Sequence, residues 1–191
     1  MITVSEAHVN FKKIFFNLFI FLCICFSSYA YGTDYTISNG TTQTSRVTLT
    51  NNDTLTVDAG GEIDYTWPAV DADNRTFPSG TTTITNNGTI EGSCCVIDIR
   101  SSTNPKLINN GTINGKTSSR TIYANNSVNA IIINNGDITI LEANDYEAID
   151  GDSSSGMTIT NNNGATISSA GDDAIAIEGA SNVTITNAGT I

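Results

Sequence analysis

From residue 84 onward, short β-branched and apolar runs alternate with polar Asn-Gly strings. Ile84-Thr85-Asn86-Asn87-Gly88-Thr89-Ile90 returns as Leu107-Ile108-Asn109-Asn110-Gly111-Thr112-Ile113 and as Ile132-Ile133-Asn134-Asn135-Gly136-Asp137-Ile138. A stretched copy runs from Ile159 to Ile167, and a last copy, Ile185-Thr186-Asn187-Ala188-Gly189-Thr190-Ile191, closes the chain. An earlier string, Leu49-Thr50-Asn51-Asn52-Asp53-Thr54-Leu55, reads as a further copy with Asp in place of Gly. The leading positions 84, 107, 132, 159 and 185 set a period of 23 to 27 residues. Fixed periods of this size mark repeat architectures.

A second strand-like segment sits inside each period, beginning at Ile97, Ile122, Ile149 and Ile175. Each of these lies 10 residues before the next leading position, at 107, 132, 159 and 185. Length variation therefore falls in the other connection, between the Asn-Gly string and the second segment. Strands of three to five residues fit these runs, and no amphipathic helix period appears. A single coil cannot bury its own inner face, so coils must stack. The expected fold is all-β, a right-handed parallel β-helix with coils of about 23–27 residues. Stacking places Ile84, Leu107, Ile132, Ile159 and Ile185 in one interior column. Ile97, Ile122, Ile149 and Ile175 form a second, and Ile90, Ile113, Ile138, Ile167 and Ile191 a third.

Within that fold the Asn-Gly strings are structural corners: Asn86, Asn87, Gly88, Asn109, Asn110, Gly111, Asn134, Asn135, Gly136, Asn187 and Gly189. Asn and Gly tolerate the left-handed backbone that a tight bend asks for. Stacked in register, the Asn amides are expected to hydrogen-bond from coil to coil, and Gly keeps the corner free of a clashing Cβ. Residues 31–80 are less regular and read as an N-terminal cap with a first irregular coil. Residues 81–191 carry the repeats and stop in mid-repeat with an apolar edge, so the sequence is expected to be cut short at its C-terminus, with a covering partner as the alternative.

The first thirty residues have a different character. Lys12 and Lys13 precede an apolar run from Ile14 to Phe26 broken only by Asn17, and Ser27-Ser28-Tyr29-Ala30 follows. This is the pattern of a secretory signal peptide over 1–30, cleaved after Ala30 or, as a second choice, after Gly32. The run is shorter than the roughly 20 residues a membrane span needs. With it would go His8, the only histidine of the chain, together with Cys23 and Cys25. A mature chain without histidine has no Ser-His-Asp or Cys-His nucleophile and no histidine metal site. The net charge of −11 argues against nucleic acid, since phosphate binding needs clustered Lys and Arg. No phosphate loop, Cys/His metal spacing or arginine cluster is apparent.

A signal peptide followed by strings such as Ile84–Ile90 every two dozen residues, with Leu55-Thr56-Val57-Asp58-Ala59-Gly60-Gly61-Glu62-Ile63 in the same style, resembles the passenger region of bacterial autotransporters. The resemblance covers nearly all of the mature chain. It implies an exported β-helix at the cell surface, in the outer membrane's care or released outside, acting as a structural or adhesive module. The implied partner is a surface ligand on a host or neighbouring cell. The family's full-length members use a C-terminal outer-membrane β-barrel, and no such barrel is present here, so the chain reads as an N-terminal fragment. Binding groups are expected on the variable loops 91–95, 114–120, 139–146 and 168–173.

No enzymatic activity, cofactor or metal is expected on this reading. The alternative is a secreted carbohydrate-active enzyme. Gly171-Asp172-Asp173 resembles the Gly-Asp-Asp segment of polygalacturonases, and Asp150 lies one coil earlier. Paired carboxylates at Asp150, Asp172 and Asp173 would then serve as acid and base at a glycosidic bond. Asp145, Glu147, Asp150, Asp152, Asp172, Asp173 and Glu178 make an acidic side, read as a solvated charged face rather than an ion site. Cys94 and Cys95 are adjacent. A disulfide between neighbours is strained, because their Cα atoms lie ~3.8 Å apart against a usual span of about 4.4–6.8 Å. The expected arrangement is one inward and one outward thiol at the start of a strand.

Overall fold

The computed structural model describes residues 32–191 except 82, 117–119 and 143–144; the expected signal peptide lies outside the described residues. Three parallel sheets build the molecule, of seven, six and six strands. The first contains β1 (Asp34–Ile37), β4 (Thr54–Val57), β7 (Ile84–Asn86), β10 (Lys106–Asn109), β13 (Ile131–Asn134), β16 (Thr158–Asn161) and β19 (Thr184–Asn187). The second contains β2 (Thr42–Gln43), β5 (Glu62–Tyr65), β8 (Thr89–Gly92), β11 (Thr112–Gly115), β14 (Asp137–Ile140) and β17 (Thr166–Ser169). The third is narrow: β3 (Val47–Thr48), β6 (Val70–Asp71), β9 (Ile97–Asp98), β12 (Ile122–Tyr123), β15 (Ile149–Asp150) and β18 (Ile175–Ala176). Each turn of the chain contributes one strand to each sheet and then climbs to the next turn, which makes the fold a parallel β-solenoid.

The interior columns follow from this register. Ile84, Leu107, Ile132, Ile159 and Ile185 pair in sequence, as do Ile97, Ile122, Ile149 and Ile175. Ile63, Ile90, Ile113, Ile138 and Ile167 form the third column. Within the stack these side chains are buried, and burying each contributes about 1.5–3 kcal/mol. Ile177, Ile185 and Ile191, at the last turn, are exposed.

Residues 34–80, expected as a cap and one irregular coil, supply β1–β6 to the same three sheets. Their irregularity is one of spacing. Val47 to Leu55 takes 8 residues and Val70 to Ile84 takes 14, where later coils take 10 from third sheet to first. The string Leu49–Leu55 is not a copy of the repeat. Leu55, its last residue, pairs with Ile84, the first of the true copy. Asn51, Asn52 and Asp53 instead turn the chain from β3 into β4, with the Asp53 carboxylate accepting from the Thr33 and Thr50 backbone N–H groups at 2.6 and 2.7 Å.

The corner between first and second sheets comes in two forms. In the seven-residue form, none of Asn86, Asn87, Gly88, Asn109, Asn110, Gly111, Asn134, Asn135, Gly136, Asn187 or Gly189 has positive φ, so left-handed backbone is not what selects them. Close approach is. A Cβ on Gly88, Gly111, Gly136 or Gly189 would lie 2.0–2.2 Å from a backbone oxygen of the coil below. In the nine-residue form, 35–43, 55–63 and 159–167, a left-handed glycine does make the bend: Gly40, Gly60 and Gly164 have φ of 74–83°. The remaining left-handed residues line the other connection in two columns, Ser101, Asn126, Ser153 and Gly179, then Asn104, Asn129, Gly156 and Asn182. Two bends stacked in register account for its constant length.

Two ladders of amides run up the seven-residue corner. The inner one is buried: Asn86 donates to Asn109, Asn109 to Asn134, Asn134 to Asn161 and Asn161 to Asn187, each Nδ2 to Oδ1 at 2.8–2.9 Å. The outer one runs the opposite way, Asn162 donating to Asn135, Asn135 to Asn110 and Asn110 to Asn87. Each inner amide also donates to a carbonyl of the coil above, such as Thr112 O from Asn86 at 3.0 Å. Its own oxygen accepts the N–H two residues on at the glycine corners, so the buried polar groups are satisfied.

Candidate functional site

Every variable loop leaves the second sheet and enters the third, so these loops stack along one edge. Successive members are 66–69, 93–96, 116–121, 141–148 and 170–174. The two most exposed large apolar side chains are on this edge, Trp67 at 57% and Leu141 at 61%. The opposite edges are tied by ladders or by stacked left-handed bends and have no comparable freedom of length.

Where the loops meet the third sheet, charged side chains converge. Arg46 pairs with Asp71 at 3.0 Å, and Arg100 with Asp98 at 3.3 Å and Asp73 at 3.6 Å. Arg120 contacts Asp150 and, at 3.3 Å, Glu147. Tyr123 lies between two guanidinium groups, Arg100 at 5.1 Å and Arg120 at 5.0 Å from its ring centre, so one ring faces two cations. Tyr146 offers Arg120 a second ring at 5.5 Å. The Arg120 Nε and Glu147 Oε2 atoms, both shielded from solvent, meet as an ion pair without an aligned hydrogen bond. This arginine cluster was not apparent in the sequence, because its members come from separate coils. Register is what aligns Asp71, Asp98, Tyr123 and Asp150 in one column.

The electrostatics are those of half-dry ion pairs. Burial pulls the Arg100 guanidinium down, but Asp98 and Asp73 outweigh it and hold it above the usual value. Arg120 is raised in the same way, against its burial, by Asp150 and Glu147. Burial pushes the Glu147 carboxyl up, with Arg120 opposing. Burial also pushes Asp98 up to about 6, although the Arg100 N–H and guanidinium pull it down.

That last shift has a measurable sign. A carboxyl whose folded pKa exceeds its unfolded value near 3.9 binds more protons when folded, so its contribution to stability is full below about pH 4 and is lost as pH rises through about 6. Asp98→Asn removes the titration. Wild type should lose on the order of 3 kcal/mol relative to this variant between about pH 4 and pH 7, by the linkage of two pKa units. Thermal unfolding followed by circular dichroism across that range reads the difference, and a difference that does not move with pH would refute the assignment.

The three carboxylates proposed by the sequence as an acid–base set sit in unlike places. Asp150 is 2% exposed and held by Arg120 and by the Asp152 N–H at 3.1 Å. Asp172 and Asp173 are exposed in the loop before β18. Of the rest of the acidic side, Glu147 belongs to the Arg120 pair, and Asp152 accepts the Glu178 N–H at 2.6 Å. A second carboxylate group, Glu62, Asp64 and Glu91, lies on the outer face of the second sheet. The Lys116 ammonium stands 2.6 Å from Glu91 and 3.0 Å from Asp64, where a cation would be.

The expected alternation of Cys94 and Cys95 does not occur. Cys95 has φ of 46°, which breaks the extended run, and both thiols are half-buried with their Sγ atoms 3.4 Å apart.

A family model described as the BigA third pectate lyase-like domain matches residues 41–191. No curated protein and no solved structure matches the chain.

Proposed function

The chain belongs to the family of BigA third pectate lyase-like domains, and from that premise we propose that it is an exported surface module of the autotransporter-passenger type. The solenoid acts as a rigid stem and the loop edge as its binding surface, engaging a component of a host or neighbouring cell. The observation that carries this reading is the coincidence on one edge of variable loop length with the exposed Trp67 and Leu141. Loops positioned by a rigid scaffold are where binding residues concentrate, and an aromatic anchor among charges is the composition of an interface centre. The Lys12-Lys13 pair and the apolar run Ile14–Phe26 support export.

The test uses the full chain produced in a bacterial host. Intact cells should be labelled by an antibody to the solenoid, and cell adhesion should fall several-fold with Trp67→Ser and Leu141→Ser combined while the unfolding midpoint stays unchanged. Labelling only after the cells are opened would reject surface display. Undiminished adhesion would reject the loop edge. The pectate lyase-like description of the family keeps an acidic polysaccharide reaction as the second reading. Cleavage of polygalacturonate by wild type, abolished by Asp172→Asn with Asp173→Asn, would establish it.

A further inference from the structure

We propose that Cys94 and Cys95 form a reducible vicinal disulfide, a redox-sensitive link in the loop that joins β8 to β9. Two observations carry it. The first is proximity: the thiol sulfurs are 3.4 Å apart. The second is backbone conformation. Successive side chains of an extended chain point to opposite faces, which would separate the two sulfurs. Cys95 is the one non-glycine residue of this loop with positive φ, at 46°, and that turn brings its side chain round to the side of Cys94.

The loop is anchored on both sides. Val96 accepts a hydrogen bond from the Val70 N–H at 3.0 Å and donates to the Arg120 carbonyl at 3.3 Å. The link would therefore sit between the Trp67 loop of the coil below and the Arg120 pair of the coil above. It has no competitor for pairing within a chain that has shed Cys23 and Cys25 with its leader. The reaction is thiol–disulfide exchange with an external disulfide. One cysteine thiolate attacks the external disulfide and forms a mixed disulfide. The neighbouring thiol then displaces it, so two thiols and one disulfide become one disulfide and two thiols with no atom left over. Adjacent Cα atoms lie closer than a disulfide prefers, so the product is strained and easily reduced. This ease of reduction distinguishes it from a structural bridge.

The full chain, purified reduced and folded, is treated with oxidised glutathione. It is then denatured in N-ethylmaleimide and digested with trypsin. Both cysteines fall in the one peptide from Thr76 to Arg100. The expected product is that peptide without adducts and lighter by two hydrogens, returned to the doubly alkylated form by reduced glutathione before denaturation. Cys94→Ser should take up a single glutathione at Cys95 in its place. Two glutathione adducts on the wild-type peptide, two maleimide adducts, or a cross-link to a peptide holding Cys23 or Cys25 would overturn the proposal. So would a bond that reduced glutathione leaves intact. The readout is mass alone, so it stands or falls apart from the adhesion reading. The same peptide from exported protein shows whether the link forms during secretion.

Discussion

Gly111→Ala is expected to break the solenoid in its middle. The added Cβ would lie 2.1 Å from the Gly88 oxygen and 3.0 Å from the carbonyl carbons of Asn87 and Gly88. All three are backbone atoms, and the two coils cannot separate to admit it. The Asn110 N–H donates to Asn86 O at 2.7 Å and the Thr112 N–H to Gly88 O at 2.9 Å, one on each side of the clash. Relief requires breaking one of these bonds or lifting the corner and its amide ladder. The expected loss is on the order of 4 kcal/mol or more, within the range reserved for overpacking and broken buried networks. Because each coil of a solenoid is stabilised by its neighbours, the damage should spread to both halves. Amide hydrogen exchange should show lost protection on β7 and β10 together. Gly164→Ala is the matched comparison. Nothing lies within 4 Å of its Cβ position, and only the left-handed φ of 83° opposes the change. Its loss should be about 1 kcal/mol. Equal midpoints for the two variants in urea unfolding would contradict the close-approach account.

Asn134→Ala should come next in magnitude. Its Nδ2 donates to Asn161 Oδ1, Gly136 O and Thr166 O, each at 2.9 Å, and its Oδ1 accepts from Asn109 Nδ2 at 2.8 Å and the Gly136 N–H at 3.3 Å. The side chain is fully buried, so water does not replace what is removed. Asn109 retains other acceptors, Gly111 O and Asp137 O. Asn161 Oδ1, Thr166 O and the Gly136 N–H each lose a partner. At about 1–3 kcal/mol for an orphaned buried group, the sum is on the order of 4 kcal/mol. Asn135→Ala, one residue away on the exposed ladder, should cost less than about 1 kcal/mol, since solvent reaches the groups it leaves. Urea midpoints for the pair separate the two ladders. Comparable losses would mean that the inner ladder is a passive consequence of strand register.

What the sequence disclosed and what it hid divide along one line. A column that must interlock with copies of itself repeats its residues, so Ile84, Leu107, Ile132, Ile159 and Ile185 declared their stacking, and the constant 10-residue interval declared the rigid connection. The first two coils have the same strands but connections of 8 and 14 residues, and their corners lack Asn-Asn-Gly. Period-finding failed there and took Leu49–Leu55 for a copy on composition. The Arg100–Tyr123–Arg120 stack escaped for a different reason. Its members come from different coils and loops of unequal length, so no spacing in the chain reports it. The placement of Cys95 depended on a single backbone dihedral that no neighbouring residue type announces.

The two corner forms differ in length by two residues, nine in 55–63 and seven in 84–90, yet Leu55 pairs with Ile84 and Ile63 with Ile90. Two residues are one full repeat of the pleat, so either form delivers the following strand with the same side chains facing inward. The corners are thus interchangeable cassettes. A lineage, or an engineer, could trade one for the other at any level without reordering the interior. An insertion of a single residue would turn the next strand inside out.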